Sequence, residues 1–314
     1  MRPTTTRRTF LARSAASAGA AAACIFAGRI LRAQPAASEP ATMLTRPIPS
    51  TGERLPVIGL GTWNALNPQQ VNEQTLAPLA EVMKVFFDAG GRVVDTAPSY
   101  GTAEEVSGTL AQQLGLTDKL FFATKVLEQT RQAGLDSFDR SLQHLHRDKI
   151  DLMQCHNFTD WPEQLKSMRA WKEQGKFRYI GVTHFQDHAH EELERILRRD
   201  KPDFLQTNYS IAEPAASRRL LPAAKDLGVA VLINRPFEAG NLFRTARAKP
   251  LPDFVKAYAD SWAQAFLKFI IANEAVTSVI GATGKVDHMR DNLQAGFGRL
   301  PDNEERKRLL EFFA

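Results

Sequence analysis

Gly90-Gly91-Arg92-Val93-Val94-Asp95-Thr96-Ala97-Pro98-Ser99-Tyr100-Gly101 passes from a helix end, through a strand, into a polar loop. Before it, Leu76, Leu79, Val82, Met83, Val85 and Phe86 recur at helical spacing, and the paired glycines stop that pattern. The β-branched run at 93–96 follows, and the Pro-Ser-Tyr-Gly segment turns the chain. Outward from this stretch the same order repeats. Strands are expected at 57–63, 93–96, 120–126, 150–156, 179–183, 204–209, 229–234 and 276–281. Helical patterns fill the gaps, including 137–146, 163–173, 191–199, 215–226, 254–272 and 287–295, the last helix expected. Gly108, Gly175 and Gly228 read as helix stops.

Several of the strands are continuous apolar runs, as in parallel sheets covered on both faces. Eight strand-helix pairs point to an α/β fold, a (β/α)8 TIM barrel, whose usual length of ~250 residues suits the body of this chain. A doubly wound sheet is the competitor, but Gly59-Leu60-Gly61-Thr62-Trp63 does not continue as its glycine-rich fingerprint. The segment 43–56, broken at Ser50-Thr51-Gly52-Glu53, suits an N-terminal β-hairpin.

The chain has 314 residues, 43% hydrophobic and 24% charged, which is ordinary globular composition. Its formal charge of +5 is concentrated at the start: Arg2, Arg7, Arg8, Arg13, Arg29 and Arg32 all precede the first acid, Glu39. Without those six, 34 of the 40 bases remain against 35 acids, a net of −1, so the body gives no reason to expect nucleic acid as a partner. Thr6-Arg7-Arg8-Thr9-Phe10-Leu11 resembles a twin-arginine export signal, and a small-residue stretch, 15–28, follows. Residues 1–36 are therefore expected to be a signal peptide cleaved near 33–37, with a linker at 37–42 and one catalytic domain at 43–314. The export machinery becomes a partner, the periplasm the expected location, and no stable membrane span is expected after processing. Only Cys24 and Cys155 occur, so a processed chain has no intramolecular disulfide.

A barrel carries its reactive groups at the carboxyl ends of its strands. Asp95 ends the second strand with Tyr100 in the following loop, Lys125 ends the third, and His156 the fourth. A free phenol, with a pKa of ~10, exchanges protons poorly near neutrality. A neighbouring ammonium favours phenolate, and a carboxylate keeps that ammonium charged and oriented. Such a tyrosine can protonate a carbonyl oxygen as charge develops there, while the imidazole orients the same oxygen. The missing electron source is a hydride-carrying cofactor. Cys155, one residue before His156, should face away from it.

Gly59-Leu60-Gly61-Thr62-Trp63, Asp95 through Gly101, Ala123-Thr124-Lys125 and Asp151-Leu152-Met153-Gln154-Cys155-His156 resemble the signature segments of the aldo-keto reductase family. Gly175 through Thr183 and Gln206-Thr207-Asn208-Tyr209 extend the resemblance over nearly all of the chain after Met43. It implies a catalytic tetrad of Asp95, Tyr100, Lys125 and His156, and an NADP(H) cofactor, with NAD(H) as the alternative. Gly61, Thr62 and Asp95 are expected on the cofactor side, with Thr183, His184 and Gln206 at the nicotinamide carboxamide. His184 departs from the family's usual asparagine. Asn234-Arg235-Pro236-Phe237 matches a stretch where an aromatic ring often packs on the nicotinamide; Asn234 stands there, so any stacking falls to Phe237. Thr283, Gly284, Lys285, His288, Asp291 and Asn292 are expected at the adenosine phosphate end.

Trp63, Phe158 and Trp161 are expected to wall a substrate pocket, and no metal site is read into His184, His188 and His190. Ending at Phe312-Phe313-Ala314, the chain is expected to lack the long carboxyl-terminal loop of some family members. Specificity then falls to 157–161 and to 238–253, which holds Arg244, Arg247 and Lys249. The expected activity is NAD(P)H-dependent reduction of small aldehydes or ketones to alcohols. The alternative is a nicotinamide-binding redox sensor or partner-binding subunit with little turnover.

Overall fold

The computed structural model describes residues 42–313, so the expected leader and all of the linker except Thr42 lie outside the described residues. Eight parallel strands close into a barrel. After the antiparallel hairpin β1 (Thr45–Pro47) and β2 (Arg54–Pro56), these are β3 (Ile58–Gly61), β4 (Val93–Asp95), β5 (Phe121–Val126), β6 (Ile150–His156), β7 (Phe177–Thr183), β8 (Phe204–Asn208), β9 (Ala230–Asn234) and β10 (Ser278–Ala282). Each barrel strand hydrogen-bonds the next in sequence, and β10 closes on β3 through Val279↔Ile58 to Ala282↔Gly61. The covering helices are α1 (Glu73–Asp88), α2 (Ala103–Gln113), α3 (Arg131–His144), α4 (Trp161–Glu173), α5 (His190–Asp200), α6 (Leu220–Asp226), α7 (Asn241–Ala246), α8 (Asp253–Lys256), α9 (Trp262–Ile271), α10 (Val286–Gln294) and α11 (Asn303–Phe313). No helix among the described residues is long and apolar enough to cross a membrane.

Strand side chains alternate, so one parity of each strand fills the barrel and the other meets the helices. Inside, Val93, Phe121, Leu152, Tyr179, Phe204, Leu232 and Ile280 form one buried cluster. Ile48 and Leu55 of the hairpin join it and close the amino-terminal end of the barrel. Residues of the opposite parity, among them Val94, Phe122, Met153, Cys155, Leu205 and Val231, belong to the larger layer shared with the helices.

Four sequence expectations are corrected. The helix expected over 215–226 is two pieces, because Arg219 leaves helical geometry (φ −138°, ψ −51°) and α6 begins after it. The helix expected over 254–272 is likewise divided: Ser261 accepts the Gln264 N–H at 3.1 Å and caps a new helix, α9. A further helix, α11, follows the expected last one, opened by Asp302 accepting from Glu305 N at 2.8 Å while Glu305 accepts from Asp302 N at 3.0 Å. Gly108 is no helix stop; it lies inside α2, where a Cβ would stand 2.0 Å from the His144 carbonyl of α3. Gly175 and Gly228 do follow helix ends, with φ of +78° and +68°.

The backbone contact at Gly108 leaves no room for relaxation by rotamer change. Gly108→Ala is expected to destabilise the fold by about 1–3 kcal/mol, read as a lower denaturant midpoint; an unchanged midpoint contradicts this contact.

Candidate active site

The inward parity turns polar as the strands approach their carboxyl ends. Above Val93, Phe121, Leu152 and Phe204 come Asp95, Lys125, Gln154 and Gln206, all at most 3% exposed. Lys125 Nζ donates to Asp95 Oδ1 at 2.6 Å and to the Thr96 carbonyl at 2.7 Å. The other carboxylate oxygen of Asp95 accepts from Gln206 Nε2 at 2.8 Å and Gln154 Nε2 at 3.1 Å. The Tyr100 ring lies 4.8 Å from Lys125 Nζ, and the His156 ring meets it edge-on at 6.1 Å between centroids. All four tetrad residues named from the sequence thus converge. Burial lowers the Lys125 pKa, but Asp95 and Tyr100 outweigh it and hold it above the ordinary value.

His156 is pushed the other way, down to about 3, by burial first and then by the charges of Lys125 and His184. It is therefore a neutral imidazole near pH 7. Its Nδ1 is buried without a partner, which leaves Nε2 as the nitrogen available to the barrel mouth. Gln154 carries half of the amide clamp on Asp95 and was not assigned a role from sequence; its signal is its position two residues before His156, on the same strand face. Cys155, of opposite parity, is packed among the helices, and burial pushes its thiol up to about 12.

The residues expected to hold a dinucleotide fall into two groups, one at the ends of β7–β9 and one at the start of α10. Thr183 Oγ1 donates to Gln206 Oε1 at 3.1 Å, and Asn234 Nδ2 reaches the same oxygen and the His184 carbonyl at 3.4 Å each. His184 Nδ1 accepts from Gln186 N at 3.2 Å, which leaves its ring proton on Nε2, and its ring stacks with those of Phe158 and Phe185. Thr62 Oγ1, Asn234 Oδ1 and Arg235 Nε are buried without partners. A Cβ on Gly61 would stand 3.0 Å from the Ile280 carbonyl, and one on Gly284 would stand 2.8 Å from the Ala65 carbonyl, so both glycines permit close backbone packing. Beyond Thr283, whose hydroxyl accepts from Lys285 N, α10 starts without a side-chain cap, leaving N–H groups free for a phosphate. Lys285 and His288 are exposed on that first turn, and Asn292 faces Gly281 from within the helix. These orphaned donors and acceptors, open N–H groups and cations fit an extended, anionic dinucleotide.

Several expected placements are revised. Phe237 packs against Phe243, tilted at 46° with ring centroids 4.9 Å apart, and borders Gly281 of β10, beside the strand leading to α10. The Asp291 carboxylate is committed to the start of α9, accepting from Ser261 Oγ and Gln264 Nε2. Lys249 is tied to α11 through the Phe312 carbonyl at 2.9 Å. Trp161 lies under the Arg199 guanidinium of α5 at 4.3 Å, a helix-to-helix contact made because its side chain leaves the head of α4 away from the mouth. Trp63 (47% exposed) and Phe158 remain on loops at the carboxyl face, and Phe185, not anticipated, joins them.

The loops here hold unusual backbone. Among the described residues nine non-glycine residues have positive φ, and seven of them (Asn64, Asn157, Phe158, Asp160, Arg235, Glu238 and Ala239) follow β3, β6 and β9 at this end of the barrel. Such conformations cost roughly 1–3 kcal/mol each and concentrate where function requires them.

Comparison with known proteins agrees with the geometry. The sequence model of the Aldo/keto reductase family matches residues 57–308. The chain is 28% identical over 205 residues to aldo-keto reductase YhdN of Bacillus subtilis, a match spanning 59% of this chain and 60% of that protein. It is 26% identical over 266 residues to the 9,11-endoperoxide prostaglandin H2 reductase of Trypanosoma cruzi, covering 81% and 87% of the two chains. The crystal structure of an aldo-keto reductase from Klebsiella pneumoniae in complex with NADPH superposes with a TM-score of 0.73 at 22% identity, over 86% of this chain and 96% of that one.

With its pKa at about 3, His156 stays neutral while an unfolded chain takes up the same proton near pH 6.5. The unfolded state binds more protons through that window, so acid from pH ~6.5 downward removes stability. An NMR titration of the imidazole C–H signals should show His156 flat between pH 5 and 8; a midpoint near 6.5 contradicts the buried neutral site.

Proposed function

The chain belongs to the aldo/keto reductase family, and within it we propose a carbonyl reductase of uncharged, apolar aldehydes and ketones that uses NADP(H) and Tyr100 as the proton donor. The observation that carries this reading is the Lys125–Asp95 ion pair, buried beneath the Tyr100 ring with a neutral His156 beside it. When bound, the dinucleotide supplies the hydride that no side chain can. Tyr100 gives its phenolic proton to the carbonyl oxygen as negative charge builds there, and Lys125 stabilises the phenolate that remains. Asp95 keeps Lys125 charged and aimed, and its own second oxygen is held by Gln154 and Gln206. His156, neutral, offers an Nε2–H to the same carbonyl oxygen without placing a competing cation beside Lys125. Thr183, Asn234 and Gln206 supply the amide-and-hydroxyl cluster that would orient a carboxamide, and Lys285 with the open start of α10 supports the phosphorylated dinucleotide.

The substrate class follows from the rim. Among the described residues, the exposed large hydrophobic side chains are Trp63, Leu127, Phe185 and Phe243, all in segments that leave the carboxyl ends of β3, β5, β7 and β9. Of these, Trp63 and Phe185 lie on loops at the carboxyl face together with Phe158, and apolar surface there favours an apolar ligand. The paired Arg7-Arg8 leader supports a second element of the proposal, export of the folded domain by the twin-arginine route.

Two measurements test these readings. Tyr100→Phe should bind NADPH as the parent does, by fluorescence, and lose about 10²–10⁴ in kcat toward an apolar aldehyde; parental turnover contradicts the role of Tyr100. In a bacterial host with an active twin-arginine system, the parent should fractionate with the periplasm and the Arg7→Lys/Arg8→Lys double variant with the cytoplasm. A parent found wholly in the cytoplasm contradicts export.

A further inference from the structure

Behind the Tyr100 turn, on the outer face of the barrel wall, lies a second buried carboxylate that the mechanism above does not use. Glu104 occupies the first turn of α2, is 3% exposed, and accepts a hydrogen bond from Thr124 Oγ1 at 2.5 Å. Thr124 points outward from β5, and the next residue along that strand is Lys125, pointing inward. Glu104's other oxygen is 3.8 Å from His144 Nδ1 at the end of α3. A cavity of about 300 Å³ opens beside it, bordered by Ser99 and Gly101 on either side of Tyr100 and by Glu128, Arg140 and His144.

The chain between Tyr100 and Glu104 has little freedom. Ala103 N donates to the Tyr100 carbonyl at 3.3 Å, so the turn enters α2 without a break. Thr102 N and Oγ1 both donate to Asn67 Oδ1, at 3.0 and 3.1 Å. Gly101, at φ +64°, leaves room for that same amide, since a Cβ there would stand 2.4 Å from it. The turn is thus pinned from one side by Asn67, and α2 is pinned to β5 by Glu104. Burial raises the Glu104 carboxyl above its ordinary value, opposed by the Thr124 and Ser141 hydroxyls and then by the charges of His144 and Lys125, so this carboxylate is kept buried at an energetic cost.

We propose that Glu104 is a positioning residue for proton transfer: through Thr124 it fixes α2, and with it the Tyr100 turn, against the strand that carries Lys125. It touches neither substrate nor cofactor, and acts by setting the distance from the phenol to the ammonium. The proposal rests on the reading of Tyr100 as the proton donor.

The test compares Glu104→Leu, Glu104→Gln and Thr124→Val in the full chain, with an apolar aldehyde and NADPH. Misplacement by ~1 Å at a reacting pair can cost about a hundredfold in rate, so Glu104→Leu and Thr124→Val should each lower kcat by more than about tenfold. The KM for the aldehyde and the Kd for NADPH should stay near the parental values. Glu104→Gln keeps an amide oxygen for the Thr124 hydroxyl and should recover most of kcat. The Glu104→Leu/Thr124→Val double variant should be no slower than either single one, because both remove the same link. Parental kcat in a folded Glu104→Leu or Thr124→Val protein overturns the proposal, as does a glutamine variant no faster than the leucine one. Should Glu104→Leu fail to fold, Thr124→Val, which removes one hydroxyl at constant shape, decides alone. A parent that turns over no carbonyl sinks the reading of Tyr100; an active parent with indifferent variants sinks only the role of Glu104.

Discussion

An ammonium and a carboxylate 2.6 Å apart, with side chains 1% and 4% exposed, sit where an apolar barrel core would otherwise continue. Stability does not explain such a pair. Removing two charges from water costs several kcal/mol for each ion, and apolar replacements of similar volume are often as stable or more so. Breaking the pair from one side, by contrast, costs about 3–5 kcal/mol, because an uncompensated charge is left buried. The surroundings are arranged to keep it whole: the Thr96 carbonyl accepts a second hydrogen bond from Lys125 Nζ, and Gln154 and Gln206 both donate to the free oxygen of Asp95. The groups nearest this pair are bound up with it. Tyr100 lies over the ammonium, the neutral state of His156 owes part of its depressed pKa to that charge, and Gln206 links the carboxylate outward to Thr183 and Asn234.

The barrel makes this possible through the period of its strands. A single inward parity carries Phe121 and Lys125, or Leu152 and His156, on one strand, so the same alternation that fills the amino-terminal half with hydrocarbon delivers polar groups to the other half. The outward parity serves the helices, and Thr124 shows how closely the two are joined: one residue from Lys125, it bonds to α2 on the far side of the wall. The hairpin closes one end with Ile48 and Leu55, and the loops with left-handed backbone occupy the other.

The convergence of these four residues was legible because Asp95, Lys125 and His156 stand at strand ends and Tyr100 in the loop just after one, and strand ends can be located from apolar runs bounded by turns. Gln154 was not legible in the same way, since a glutamine two residues before a histidine looks like any polar strand residue until Asp95 is seen beside it. Trp161 was misread because sequence places its backbone near the mouth but does not give the direction of its side chain, which goes to Arg199. Gly108 was misread because a glycine that ends a helix and one that lets two helices touch look alike in sequence; only the approach of the His144 carbonyl separates them. Ser261 and Asp302 carried readable capping signals, the first masked by the long apolar pattern around it and the second by its distance from the last strand.

The central claim is that the buried pair exists to make Tyr100 a proton donor to a carbonyl receiving hydride. It is tested most directly by following deuterium from NADPH carrying deuterium at both nicotinamide C4 positions into the alcohol product, comparing the parent with Lys125→Met by mass spectrometry. The account predicts one deuterium on the carbinol carbon through many turnovers of the parent, and loss of that transfer in the variant while NADPH still binds. An unlabelled product from the parent, or undiminished label transfer without the Lys125 ammonium, would contradict it.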